Sequence, residues 1–122
     1  MIYRIETEEA WQREAASETY LPDDYASEGF IHCSALEEIV DVANRVHHGK
    51  EGLVLLCISQ RALMAETRWE LSGGLYYPHI YGPLNRSAVV AVVPFPCGKD
   101  GTFVLPSGMP DDSDDLPQAD DE

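Results

Sequence analysis

The alternation of apolar and polar residues along the chain predicts several regular elements. Residues 53–58 are continuously apolar and of strand length, which is typical of a strand buried on both faces. Residues 36–46 repeat apolar side chains at helical spacing, and residues 67–71 alternate with a period of two. In the alternating segment Trp69 and Leu71 share one face, which we expect to pack on the core.

Capping signals add the helices and set the fold class. Thr7 is placed to cap a helix that runs to about Ser17, and Ser34 with Glu37 forms a capping box at the start of the second helix. The remaining strands are predicted at residues 2–6, 29–34, 77–81 and 88–93, with a last edge strand at 102–105. Two helices in the N-terminal half among many short strands predict an α+β fold with a mixed, mainly antiparallel sheet.

Charge divides the chain into a domain and a tail. In a chain of 122 residues with a net charge of −14, the segment 111–122 contains seven acidic residues and no basic one. It is also poor in apolar side chains, so burial cannot offset the entropy of ordering it. We expect a single domain over residues 1–110 and a disordered acidic tail over 111–122, with an acidic interaction arm as the alternative for the tail.

Composition also limits the partners and the compartment. The excess of acidic residues disfavours duplex nucleic acid and anionic membranes as partners. No apolar run approaches the roughly 18 residues of a membrane helix, and the first residues lack a signal-peptide pattern. Three scattered cysteines fit reduced thiols better than a disulfide framework. These features predict a soluble cytoplasmic protein.

One segment of this acidic chain contains no acidic residue. No Asp or Glu occurs from Leu71 to Lys99, a stretch that holds His79 and Arg86. Such a surface suits an anionic ligand, because a carboxylate that faces a phosphate opposes binding. The alternative is that the stretch is mostly buried strand, where acidic residues are rare in any protein. Both interpretations stay open at the level of sequence.

His32 and Ser34 lie where a strand is expected to enter a helix. A helix N-terminus offers unpaired N–H groups and a partial positive charge, which suit a phosphate. His32 could hydrogen-bond a ligand there, and the alternative is a core histidine satisfied by a backbone carbonyl. Ser34 is explained more simply as the helix cap than as a nucleophile.

Arg68 and Glu70 share one face of a predicted strand at a spacing of about 7 Å. An exposed pair of this kind stabilises a protein little, and that is the plainer interpretation. The functional one is that Arg68 binds a phosphate or carboxylate and that Glu70 binds a ribose hydroxyl or stabilises a cationic transition state.

Tyr77, His79 and Tyr81 share one face of the densest aromatic stretch. Aromatic rings with polar tips suit a planar heterocycle, whereas a structural interpretation makes them a cover over the core. The histidines and cysteines show no metal-ligand spacing, and neither a phosphate-binding glycine loop nor a nucleophile elbow is present. We therefore predict no metal site.

These segments also carry a family resemblance over residues 1–105. The chain resembles the bacterial family called domain of unknown function 952 in the order and residues of its motifs. These motifs are the strand Gly29–Ser34, the triplet Arg68-Trp69-Glu70, and the segment Tyr77–Leu84 followed by Val89–Pro94. That family carries no established activity to transfer. The resemblance implies a fold similar to the ADP-ribosyltransferase fold, in which a split pair of small sheets grips NAD.

The resemblance also implies roles for single residues. His32 matches the early residue that anchors the adenosine ribose, and Tyr77, His79 or Tyr81 matches the residue near the nicotinamide. The late glutamate that stabilises a ribosyl cation in that superfamily is missing, because residues 71–99 contain no acid. Glu70 is the plausible substitute, although it comes earlier in the chain.

Two function hypotheses follow from the residues and the resemblance together. The first is binding of NAD or an ADP-ribose-containing nucleotide, with Arg68 on the pyrophosphate, and with ADP-ribosyl transfer or NAD glycohydrolysis at Glu70. The second is a non-catalytic regulatory or protein-interaction module that uses the same cleft. The missing late glutamate favours the second, and the cluster of His, Arg and Tyr favours the first.

Overall fold

The computed structural model describes residues 1–13 and 15–111. Within these ranges the chain forms antiparallel sheets and a few short helices, which confirms the predicted α+β class. Of the predicted disordered tail only Asp111 is described, so that prediction lies outside the described residues. None of the described helices combines the length and the apolar character that crossing a membrane requires.

The strands and helices follow one another in short segments. The strands are β1 (Ile2–Thr7), β2 (Thr19–Tyr20), β3 (Ile31–His32), β4 (Leu53–Ile58), β5 (Glu66–Ser72), β6 (Leu75–Tyr81), β7 (Leu84–Asn85) and β8 (Val89–Pro94). The helices are α1 (Glu8–Gln12), α2 (Tyr25–Glu28) and α3 (Leu36–Val46), and a 3-10 turn spans Arg86–Ala88. The predicted strand at 53–58 and helix at 36–46 are confirmed.

The first sheet has the strand order β1-β4-β8 and separates two apolar cores. All six residues of the central strand β4 are buried, as its apolar run predicts. Leu55 on one face packs in a cluster with Ile39 and Ala43 of α3. Leu56 on the other face packs in a cluster with Ile80 of β6. The first sheet therefore holds α3 on one side and the second sheet on the other.

The second sheet has the order β3-β6-β5, and within the described part of the chain its backbone is hydrogen-bonded to the first sheet at one place. There the backbones of Tyr3 and Ser34 exchange two hydrogen bonds of 2.9 and 2.7 Å. Among the described residues no further backbone hydrogen bond joins β1 to β3, so the sheets separate beyond this seam. A small third sheet pairs β2 with β7.

The expectation that Trp69 and Leu71 pack on the core is wrong. Their side chains are 45% and 62% exposed, respectively. Both lie on β5, the edge strand of its sheet, whereas Pro78 and Ile80 on the same face of the neighbouring strand β6 are buried. The alternation predicted the strand correctly, but the core that buries this face of β6 does not extend as far as the edge strand β5.

The predicted capping box at Ser34 is also wrong. The N-cap of α3 is Ala35, which makes no side-chain cap bond, because the backbone of Ser34 is committed to the seam with Tyr3. Two helices differ as well: α1 ends at Gln12 instead of about Ser17, and α2 is a third helix where the sequence predicts two. Residues 102–105 form no strand.

The early end of α1 has a tertiary cause. The guanidinium of Arg86 donates to the carbonyl oxygens of Trp11 and Arg13 at 3.1 and 3.2 Å. The same guanidinium lies 4.2 Å from the Trp11 ring centroid. A cation at a helix C-terminus satisfies carbonyls that have no helical partner. Arg86 is more than seventy residues away in the chain, so local signals could not reveal it.

A nearly buried ion pair lies beside the backbone contact between Tyr3 and Ser34 and strengthens the link between the two sheets. Arg4 and Glu6 of β1 are joined at 3.0 Å, and their side chains are only 10% and 12% exposed. Arg4 also donates to the carbonyl oxygen of His32 at 2.9 Å, which ties β1 to β3. Glu6 in turn accepts from the Tyr20 hydroxyl, and burial, together with this bond, raises the pKa of that phenol. One guanidinium thus connects the two sheets.

Arg4→Met is expected to lower the free energy of unfolding by about 3 kcal/mol, because it leaves the Glu6 carboxylate buried without its cation. The matched control is Arg13→Met, which removes an exposed pair with Asp23 and should cost less than about 1 kcal/mol. Urea unfolding followed by circular dichroism measures both. Equal losses in the two variants would show that the Arg4–Glu6 pair behaves as a surface pair.

Candidate functional site

A cleft of about 770 Å³ opens where the two sheets separate. One wall consists of β1 and α3, and the other is the face of the second sheet that points away from the core. The walls contain five of the predicted site residues: His32, Ser34, Glu70, Tyr77 and His79. These residues come from distant parts of the chain, and the fold brings them together.

Arg68 and Tyr81 lie on the same face of the second sheet but are not part of the cleft wall. The Arg68 guanidinium stands over the Tyr81 ring at 4.3 Å from its centroid. Arg68 also pairs with Glu66 at 3.1 Å, and both side chains of this pair are exposed. Arg68 is thus a flanking residue, beside Glu70 and not inside the cleft.

Glu70 is the centre of a hydrogen-bonded group. Its Oε1 accepts from Tyr81 Oη at 2.6 Å and lies 2.7 Å from Nδ1 of His79. The register of β5 and β6 places all three side chains on one face of the sheet. Glu70 Oε2 has no hydrogen-bond partner among the described residues. One carboxylate oxygen therefore holds the group together, and the other stays available at the cleft.

These bonds fix the ionisation of Glu70. The hydrogen bond from Tyr81, followed by that from His79, lowers the pKa of Glu70 below its usual range. The same bond raises the pKa of Tyr81. Because an ionised carboxylate can only accept, Nδ1 of His79 carries the hydrogen and Nε2 is left for a further partner. The cleft thus holds a fixed negative charge beside an oriented imidazole.

Aromatic rings cover this face of the second sheet. Phe30 stacks on His79 with ring centroids 4.0 Å apart and planes inclined by 19°. The Phe30 ring also lies 4.7 Å from His32 and 5.4 Å from Tyr81. We call these four rings, Phe30, His32, His79 and Tyr81, the aromatic platform. A platform of this kind suits stacking with a planar heterocycle.

His32 is a surface residue of the cleft. Its Nε2 lies 2.9 Å from Glu28 Oε1, and about half of its side chain is exposed. The alternative of a buried core histidine is therefore wrong. Because Arg4 binds the His32 carbonyl and Glu28 binds the ring, both the backbone and the side chain of His32 are held in place.

The α3 side of the cleft is cationic. Arg45 near the end of the helix and Lys50 after it are exposed, and neither has an ion-pair partner among the described residues. His47 lies between them; burial, and next to it the charge of Lys50, lowers the pKa of His47, so its imidazole is neutral at pH 7. The two walls thus differ, with cations on one and aromatic rings with Glu70 on the other.

Sequence reasoning missed Phe30 and the cations of the opposite wall. Phe30 and His32 occur at a spacing of two, and this spacing was the available signal for a shared face. Arg45 and Lys50 gave no such signal, because their position depends on how α3 packs across the first sheet. Arg4 was equally invisible, since its role depends on β3 lying beside β1.

The described residues offer neither a metal site nor a reactive thiol in the cleft. No group of three His, Cys, Asp or Glu side chains lies close enough among them to hold a metal ion. Cys33 lines the cleft, but burial raises the pKa of its thiol to about 12, so the thiol stays protonated at neutral pH.

Comparison with known proteins gives a family match and solved relatives. A family model described as "Protein of unknown function (DUF952)" matches residues 5–92. The X-ray structure of protein CC0527 from Caulobacter crescentus is 32% identical, with a TM-score of 0.77, over 85% of this chain and 93% of that one. A solution NMR structure of the same protein gives 32% identity and a TM-score of 0.72 over 83% and 89% of the respective chains. A search of curated proteins finds no match.

The lowered pKa of Glu70 predicts an acid-dependent stability. The native carboxylate has a pKa below the roughly 4.3 of an unfolded glutamate, so it stabilises the fold above that value. The contribution is lost as pH falls through the native pKa. Glu70→Gln should therefore melt with less pH dependence than the wild type between about pH 5 and pH 3.

Tyr81→Phe is the matched variant for this experiment, because it removes the hydrogen bond that lowers the pKa of Glu70 most and keeps the carboxylate. Its melting profile, measured by circular dichroism, should fall between the other two. Parallel profiles for the wild type and Glu70→Gln would contradict the stabilising role of the charge.

Proposed function

The chain belongs to the DUF952 family, and we propose that its cleft binds NAD or a related ADP-ribose-containing nucleotide, with cleavage at the nicotinamide ribose. The observation that carries the proposal is the pairing of an aromatic platform and a fixed carboxylate with a cationic wall across one cleft. The platform suits a planar ring, the cationic wall suits the pyrophosphate, and the carboxylate suits the ribose that carries nicotinamide.

The size and chemistry of the cleft support a nucleotide. Its volume of about 770 Å³ lies within the roughly 300–1,000 Å³ of typical small-molecule sites. The platform offers a stacking surface for a planar base or nicotinamide ring. Arg45 and Lys50 would neutralise the pyrophosphate from the opposite wall, a role that the sequence assigned to Arg68. His32 would contact a ribose from the edge of the platform.

Glu70 is the group that would act on the bond to nicotinamide. Cleavage breaks the bond between the ribose carbon and the nicotinamide nitrogen, and the electron pair leaves with nicotinamide. Positive charge then develops on the ribose, which a nearby carboxylate stabilises before water or another acceptor attacks. Glu70 is ionised and keeps Oε2 available for that charge.

Binding is expected to raise the melting temperature. A ligand at 100 times its dissociation constant stabilises the protein by about 2.7 kcal/mol. NAD and ADP-ribose should act in this way, whereas nicotinamide alone should have a smaller effect because it lacks the pyrophosphate. His32→Ala should weaken the shift, and Lys99→Ala, in an exposed turn outside the cleft wall, should not. No shift with either nucleotide would refute nucleotide binding.

Turnover is expected to depend on the charge of Glu70. Glu70→Gln keeps an oxygen that accepts from Tyr81 and His79 but removes the negative charge, so it should abolish nicotinamide release while sparing binding. Release is measured chromatographically after incubation with NAD. Equal release by both proteins would contradict this role of Glu70. Binding without release from either protein would support the non-catalytic module.

A further inference from the structure

Strand β5 leaves a long open edge on the second sheet. It has seven residues, and its register with β6 is regular over all of them. Proteins usually protect such an edge with lysine, proline, a bulge or a very short strand. The strand has no lysine, proline or bulge, and its edge protection is limited to the charges of Glu66, Arg68 and Glu70. Among the described residues no other strand lies on its free side.

The backbone groups that face this open edge follow from Pro78. The carbonyl of Pro78 accepts from Cys33 N at 3.1 Å, so the backbone of Pro78 points toward β3. Opposite residues in an antiparallel pair alternate between bonded and non-bonded pairs, and Pro78 lies opposite Trp69. Trp69 therefore turns its own N–H and C=O away from β6, and with a period of two so do Thr67 and Leu71.

We propose that this edge pairs with β5 of a second copy of the chain, antiparallel, with the two-fold axis at Trp69. In this register Trp69 lies opposite Trp69 of the partner subunit, and Thr67 lies opposite Leu71 of the partner subunit. These are the residues whose backbone groups face outward, so each pair exchanges both hydrogen bonds. Two three-stranded sheets become one continuous sheet.

The charges of β5 are self-complementary in this register. Arg68 lies opposite Glu70 of the partner subunit, and the symmetric contact repeats on the other side of the axis. Both are at non-hydrogen-bonded positions of the new pair, where facing side chains come closest. Moving the axis by two residues, to Thr67 or Leu71, keeps the backbone bonding but shortens the overlap of the seven-residue strands. Moving it by one residue, to Arg68 or Glu70, also keeps the bonding but places two like charges opposite each other at the axis. The register centred on Trp69 is therefore the most stable one.

Exposed apolar surface supports the same partner. Trp69 and Leu71 are the large side chains that the core leaves uncovered on this strand, and the axis brings them together across the new pair. On the opposite face, Arg68 of the partner subunit would stand beside Glu70, whose Oε2 has no partner among the described residues. The second copy would thus place a cation beside Glu70 at the edge of each cleft, whether or not the ligand is a nucleotide.

Cysteine cross-linking tests both the contact and its register. At the axis, paired α-carbons lie roughly 5.5 Å apart, within disulfide range, so Trp69→Cys should form a covalent dimer with oxidised glutathione. Leu71→Cys is the matched control, because its two cysteines would lie roughly 13 Å apart along the strands and should form no covalent dimer. The wild type measures any background from its native cysteines.

Each result of the cross-linking decides the proposal. A covalent dimer of Trp69→Cys without one of Leu71→Cys supports the register. Equal cross-linking of both, or of neither, overturns it. Circular dichroism melting of each variant checks that it is folded.

Sedimentation velocity on the full chain gives an independent test. The wild type should approach twice the 13.6 kDa mass of the chain as its concentration rises. Arg68→Glu places two carboxylates opposite each other at each contact and should raise the dimer dissociation constant by about tenfold or more. Lys99→Glu makes the same charge change outside β5 and should not. A wild type that stays monomeric at high concentration overturns the proposal.

Discussion

Two backbone hydrogen bonds between Tyr3 and Ser34 are the constraint on which the cleft depends. They join the sheets at one point, so the sheets meet there and separate beyond it. A longer ladder between β1 and β3 would close the space that the cleft occupies. The Arg4–Glu6 pair stands at this point and adds a side-chain link without lengthening the ladder. The same contact thus joins the two sheets and marks where the cleft between them begins.

The pairing register of the second sheet determines the geometry of the site. Because Glu70, His79 and Tyr81 occupy one face of two paired strands, their hydrogen bonds form without loops that must be ordered on binding. Phe30 covers the imidazole and limits its rotation. A ligand would meet a carboxylate and a histidine already oriented, which reduces the reorganisation that binding or chemistry requires.

The local sequence pattern predicted most of the helices and strands, whereas tertiary contacts determine where several of them begin and end. The apolar run of β4 and the periodicity of α3 describe their own surroundings, so those elements were predictable. The face shared by His79 and Tyr81 was predictable for the same reason, whereas the position of Glu70 beside them depends on the register of β5 with β6. The end of α1 depends on Arg86, and the start of α3 depends on the seam at Ser34. The exposure of Trp69 depends on where the core ends. No local signal contains such contacts, which is also why Arg4 and the cations of α3 were missed.

The contact between Arg4 and β3 has a consequence for how this protein can diverge. Arg4 binds the carbonyl oxygen of His32, a group that every amino acid at that position would present. The side chain at 32 can therefore be exchanged without removing the link between the sheets. The backbone of residue 32 thus links the two sheets, whereas its side chain forms part of the cleft surface, so a substitution there would alter that surface and leave the link between the sheets in place.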